Sequence, residues 1–298
     1  MRRQFSALHV AILCLGIGVL YVPIVVLIGY SFNASPMVNV WGGFSTIWYS
    51  RLLHHQNLLD SALLSLEVAM CAASIAVVLG TLAAIALVRF ARFPGRFLLS
   101  AMVTAPLVMP EVITGIALLL LFVSLLHTFS WPHRGFLTIV FAHATFCIAY
   151  VTVTVQSRLH GADQSLEEAA MDLGAGPGRA FIDITLPLIA PAIISGWLLS
   201  FTLSLDDLVS SSFMAGPSTN TLPMLIYSKV KLGLSPVINA LATLIIVAVG
   251  AGVICAGWMM RRAEARHELE MREAERLNAA PRVPDVREGV PRAVRSPS

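Results

Sequence analysis

Six long, predominantly apolar runs set the terms for any fold of this chain, at roughly 9–32, 60–88, 98–126, 136–157, 188–210 and 236–260. About 20 apolar residues are what a helix needs to cross ~30 Å of hydrocarbon. Inside lipid only helices and closed barrels satisfy their own backbone groups, and these runs lack the alternation of barrel strands. The whole chain is 57% hydrophobic and 12% charged over 298 residues, with a mean hydropathy of +0.78. A soluble domain of that length has too little interior for so much apolar surface. The expected fold is an all-α membrane protein with six transmembrane helices.

Arginine placement orients the spans. Arg2 and Arg3 precede the first, Arg89, Arg92 and Arg96 separate the second and third, Arg158 and Arg179 lie between the fourth and fifth, and Arg261, Arg262 and Arg266 follow the sixth. The opposite loops hold Arg51, Arg134, Lys229 and Lys231. The positive-inside rule then puts both termini and residues 158–187 in the cytoplasm. The net charge of +3 reflects that asymmetry and carries no nucleic-acid signal. "RRQF" resembles a twin-arginine signal and "AILC" a lipoprotein site. The apolar run outlasts a signal h-region of ~7–15 residues, so an uncleaved first span is expected.

Cys14, Cys71, Cys147 and Cys255 all fall in spans without metal-binding spacing and are expected to pack as small apolar residues. In the outer segment 33–59, Trp41, Trp48 and Tyr49 are expected to be interface anchors. The adjacent His54 and His55 diverge by about 100° on a helix and would chelate poorly. A charged helix, with Glu268 and Arg272 at favourable spacing, is expected to leave the last span before a disordered Pro-rich end.

One polar interruption stands out: SLEEAAMDLGAGPGRAFIDITLPLIAP, residues 165–191. Ser165 and Glu168 have capping-box spacing. Gly174 suits a left-handed helix end, which predicts a helix over 166–173. Leu166, Ala169, Ala170 and Leu173 recur on one side of it. Gly176-Pro177 suits a second helix start, and Pro187 and Pro191 open span five. Two turns of helix are unstable alone, so the apolar side must bury itself, either on its own bundle or on a soluble partner. "GAGPGR" is no phosphate loop, since no Lys-Ser/Thr follows it.

Glu168-Ala169-Ala170, then Gly174, then Ile184-x-Leu186-Pro187 resembles the EAA signature of ABC-importer permeases. "TAPLVMPEVITG", "PAIISGWLLSFTLSLDDLV", "TLPMLIYSKV" and "INALATLI" resemble the putrescine/spermidine permeases, most closely the second permease subunit of a putrescine importer. This resemblance implies a type I importer fold for the six-span permease domain expected over 1–260; the cytoplasmic extension over 261–298 is expected from its charged and Pro-rich residues alone. It further implies that the loop is a coupling helix seated on a separate ATPase, with Glu168, Ala169, Ala170, Gly174, Leu186 and Pro187 as coupling residues. ATP and Mg would be bound by that partner and no cofactor by this chain. The implied assembly is a heterodimer with a sister permease, two ATPase copies and a periplasmic polyamine-binding protein in the bacterial inner membrane.

Ionisable residues inside spans are functional candidates by default. Here these are Glu67, Glu111, Asp206 and Asp207, all acidic, as a cationic cargo would favour. Asp206 lies ~27 Å along span five from Leu188, which places it toward the outer face. Consecutive acids diverge on a helix, so one of Asp206 and Asp207 lines the route while the other holds an interhelix bond or caps a helix. Glu111 either lines the route or satisfies backbone N–H groups after Pro110, and Glu67 reaches water. Three rivals remain: a permease for another cargo (thiamine, ferric iron, opines, sulfate), a secondary transporter, and an intramembrane enzyme. Anionic cargo would call for buried cations, a secondary transporter usually shows inverted repeats, and an enzyme needs a nucleophile–base pair or a metal set, such as HExxH.

Overall fold

The computed structural model describes residues 7–37, 40–90, 92–232 and 235–279. Arg2, Arg3, the side chains of Glu268 and Arg272, and the Pro-rich end lie outside the described residues. The elements are helices: α1 (Ala7–Ser31), α2 (Ile47–Leu53), α3 (Gln56–Arg89), α4 (Arg96–Val108), α5 (Glu111–Phe129), α6 (Phe136–His160), α7 (Ser165–Asp172), α8 (Pro177–Ala180), α9 (Leu186–Asp206), α10 (Val209–Met214), α11 (Leu222–Leu232) and α12 (Pro236–Ala279). Six helical stretches among them are long and apolar enough to span a membrane. The chain divides into two units, Met1–Val249 and Gly250–Ser298. In the second, the Arg262 guanidinium lies 3.4 Å from the centre of the Trp258 ring.

The core of the first unit is the triple packing of α3, α6 and α9. Lipid tails give helices no hydrophobic reason to associate, so close van der Waals packing through small residues must do it. The sequence of α3 supplies such a stripe: Ala69, Ala72, Ala73, Ala76, Gly80 and Ala84 are buried along one face. A Cβ on Gly80 would lie 2.8 Å from the Val151 Cβ and 3.1 Å from the Ile148 carbonyl, so only glycine allows α3 and α6 to come this close. Thr152 Oγ1 donates to the Gly80 carbonyl across the same crossing, at 3.2 Å.

Two expected spans are corrected. The run 98–126 is two helices, because Pro110 pushes Met109 into an extended conformation (φ −78°, ψ 139°) that ends α4. The fifth span stops at Asp206, four residues short of expectation, with Asp207 extended before α10 starts. At its other end, Pro187 does not open a fresh helix. Residues 181–185 widen into a π-helical stretch that joins α8 to α9, and the Leu186 N–H reaches back to the Phe181 carbonyl. The wider turn spares the clash and the missing N–H that proline brings to an α-helix.

Trp48 is also corrected. It is buried, its indole N–H donates to the Asn33 carbonyl, and it packs with Leu52, Leu58, Leu222 and Leu241 rather than standing at an interface. Tyr49 Oη lies 2.7 Å from Ser31 Oγ, while Trp41 is exposed against Tyr30. Of the four cysteines only Cys147 is packed, and Cys14, Cys71 and Cys255 are exposed.

Candidate functional site

The two helix breaks face one cavity. Its volume is about 210 Å³, and its lining includes Glu111 and Thr114 of α5, Phe146 and Tyr150 of α6, and Asp206 at the end of α9. That is below the ~300–1,000 Å³ of pockets for drug-sized ligands and suits a chain of a few carbons. The last carbonyls of a helix have no intrahelical donor and carry partial negative charge. The C-termini of α4 and α9 therefore add to the field of the acids, while the N-termini of α5 and α10 at the same breaks oppose it, so the net preference rests on the side chains. Three carboxylates, Glu111, Asp206 and Asp207, and two aromatic rings make this a place where a small cation is favoured over an anion.

The adjacent acids do different things. Asp207 Oδ1 accepts the N–H groups of Val209 and Ser210, and Oδ2 accepts that of Ser211, all at 3.1 Å, so Asp207 caps α10. Its Oδ2 also lies 2.8 Å from His143 Nε2, with the two side chains 6% and 1% exposed. The His143 ring is held in turn by Ser204 Oγ at 2.6 Å and Ser211 Oγ at 3.0 Å. Thr138 Oγ1 and Arg134 Nη2 donate to the last carbonyls of α10, at 3.0 and 2.8 Å, fixing its other end. Asp206 and Glu111 have no protein hydrogen bond or ion pair among the described residues; both line the cavity, and Asp207 lines it too while its oxygens are engaged by α10 and His143. Glu111 is the first residue of α5 and caps nothing, which removes one of its two sequence readings. Glu67 is exposed on α3, outside the cavity lining.

The second candidate region is the loop from α6 to α9. Helix α7 begins one residue earlier than expected, so Ser165 sits inside its first turn and the capping box with Glu168 does not form. Asp163 Oδ1 accepts the Ser165 N–H at 2.9 Å instead, and this bond pulls the Asp163 carboxyl below its ordinary range. At the other end the Gly174 N–H bonds the Met171 carbonyl and the Ala175 N–H the Ala170 carbonyl. Gly174 takes φ +91°, giving a Schellman ending that an L-residue would strain. No residue of α7 is buried. Leu173 is 91% and Leu166 51% exposed, so the apolar side is not used by the bundle. Glu168 and Ala169 are exposed, Ala170 is half-buried, and Leu186 and Pro187 are exposed in the first turn of α9. The structure thus separates the sequence-derived residues into two groups, one around the cavity and one along this loop.

Sequence reasoning missed His143 and the pair Arg89–Glu167. The available signal for His143 is a histidine inside the apolar run of span four, a residue type that costs energy in lipid as the acids do. In the sequence Arg89 stands only as a topology marker, because its partner Glu167 is 78 residues away.

A helix-bundle span interrupted around a polar cavity, together with a loop offering an unburied apolar helix, defines a membrane translocation component. The family model for binding-protein-dependent transport system inner membrane components matches residues 76–268, and the chain belongs to that family. Among its relatives, the putrescine transport system permease protein PotI of Escherichia coli K12 is 55% identical over 272 residues, covering 91% of this chain and 97% of PotI. The spermidine/putrescine transport system permease protein PotC of the same strain is 46% identical over 228 residues, covering 76% of this chain and 84% of PotC. Among solved structures, a bacterial ABC transporter involved in the import of the acidic polysaccharide alginate shares the fold at a TM-score of 0.64 and 16% identity, covering 87% of this chain and 96% of that chain. An amino acid ABC transporter superposes with a TM-score of 0.54 at 20% identity, over 72% of this chain and 98% of that one. The chain is a multi-pass protein of the bacterial inner membrane.

Proposed function

We propose that this chain is the permease subunit of an ATP-driven polyamine importer, with Asp206 and Glu111 facing the cationic cargo. Its relatives support the cargo class, since both are named for putrescine or spermidine transport. The observation that carries the mechanism is α7, a two-turn helix whose Leu166 and Leu173 are left exposed among the described residues. Such a helix needs a partner surface to hold it. In this reading the partner is a cytoplasmic ATPase, present in two copies, which binds ATP with its Mg and hydrolyses it. A sister permease completes the pathway, and a periplasmic binding protein delivers the cargo. Glu168, Ala169, Ala170, Gly174, Leu186 and Pro187 form the face offered to the ATPase.

Coupling then means that the ATPase's closed and open states prefer different arrangements of the bundle. Two weakly binding carboxylates let a diamine enter and still leave. The test uses the reconstituted complex with Glu168→Ala or Gly174→Asp. Both variants should lose most ATP-driven putrescine uptake while the subunits still assemble. Undiminished uptake in both would rule out the coupling assignment.

A further inference from the structure

Helix α7 is tied to the bundle in two ways. One is covalent: through the Gly174 turn, α8 and the π-helical stretch Phe181–Thr185 into α9. A glycine at φ +91° and a π-helical stretch are both places where a backbone changes shape at low cost, so this route yields when α7 is displaced. The other is a side-chain bond. Arg89 Nη2 donates to Glu167 Oε1 at 2.5 Å, with the two side chains 22% and 19% exposed. Among the described residues it is the only side-chain bond from α7 to another helix. Arg89 is the last residue of α3, the helix on which both α6 and α9 pack. A cation at a helix C-terminus and an acid in a helix first turn are each favoured by the local dipole, so both charges are held in place independently of the pair.

We propose that Arg89 and Glu167 form the strut that transmits displacement of α7 to the core of the bundle, and that Arg89 is a positioning residue for coupling. This rests on the reading of α7 as the ATPase contact. A bond from α7 to the central helix resists displacement where the path through Gly174 and the π-helical stretch gives way. Its substantial shielding from water also leaves it less open to screening by salt than an exposed pair.

The test is a double-mutant cycle in the complete complex in vesicles: Arg89→Ala, Glu167→Ala, both together, and Arg89→Lys. The readouts are putrescine accumulated per ATP hydrolysed and the ATPase retained on purification. Each alanine variant should lower the ratio several-fold with the ATPase retained. The double variant should be no worse than either single one, because the two residues act as a unit. Arg89→Lys should recover much of the loss. Normal ratios in both single variants would overturn the proposal. So would additive losses, which would mean that Glu167 meets the ATPase directly, or loss of the ATPase, which would mean that the pair serves docking. Glu168→Ala in the same preparation separates the two levels. If it uncouples while Arg89→Ala does not, the strut alone fails; if it and Gly174→Asp are both normal, the reading of α7 fails.

Discussion

Asp206 and Asp207 differ by one position in sequence and by their whole environment in space. Asp207 is committed to three backbone N–H groups and His143. Removing it leaves the imidazole and the start of α10 without their acceptor in a buried setting, a loss of at least about 1–3 kcal/mol. The Asp207→Ala subunit should therefore melt at a lower temperature in detergent and accumulate poorly in the membrane. Asp206 holds nothing in place, so Asp206→Asn should keep wild-type melting and assembly. Its putrescine uptake should fall roughly tenfold, about 1.4 kcal/mol of lost attraction for the cation. Equal behaviour of the two variants in both assays would contradict this division. The sequence carried half of it: consecutive acids cannot share a face. Which residue does which depends on the chain leaving helical geometry at Asp207, and hydropathy gives no hint of that.

Helix by helix, what was legible followed the strength of the physical signal. Apolar length located six spans, because crossing lipid is a requirement on every residue in the run. The periodicity of Leu166, Ala169, Ala170 and Leu173 located α7 within a residue, and Gly174 fixed its end. The breaks were harder, since Met109–Pro110 and Asp207–Leu208 interrupt runs that stay apolar on average. The sequence leaves Trp48 open, because an aromatic near a span end serves equally as an anchor or a core residue until its indole partner, the Asn33 carbonyl, is known. The α3–α6 crossing offers a direct check. Gly80→Val places bulk within 3 Å of Val151, and overpacking of that kind costs about 1–3 kcal/mol. The variant should show reduced thermal stability, and Val151→Ala in the same chain should restore part of it. Destabilisation that Val151→Ala leaves unchanged would place the strain elsewhere.

For the molecule as a whole, the arrangement of spans fixes which side each site meets. The arginine distribution predicts that six crossings would return the C-terminal end to the side of the N-terminus. Six spans also place the α6–α7 loop on that side and the α5–α6 loop on the other. Arginines cluster beside the first set of loops, and insertion favours their retention in the cytoplasm. The ATPase reading needs this orientation: α7 must be cytoplasmic to meet an enzyme that uses cytoplasmic ATP. Cysteine labelling tests it directly. In a background lacking the four native cysteines, His133→Cys and Gln164→Cys place single thiols at exposed loop positions on opposite sides. A membrane-impermeant maleimide added to intact cells with a permeabilised outer membrane should label His133→Cys only. Gln164→Cys should label once the inner membrane is opened. The reverse pattern would invert the topology and leave α7 facing the periplasm, out of reach of any ATP-hydrolysing partner.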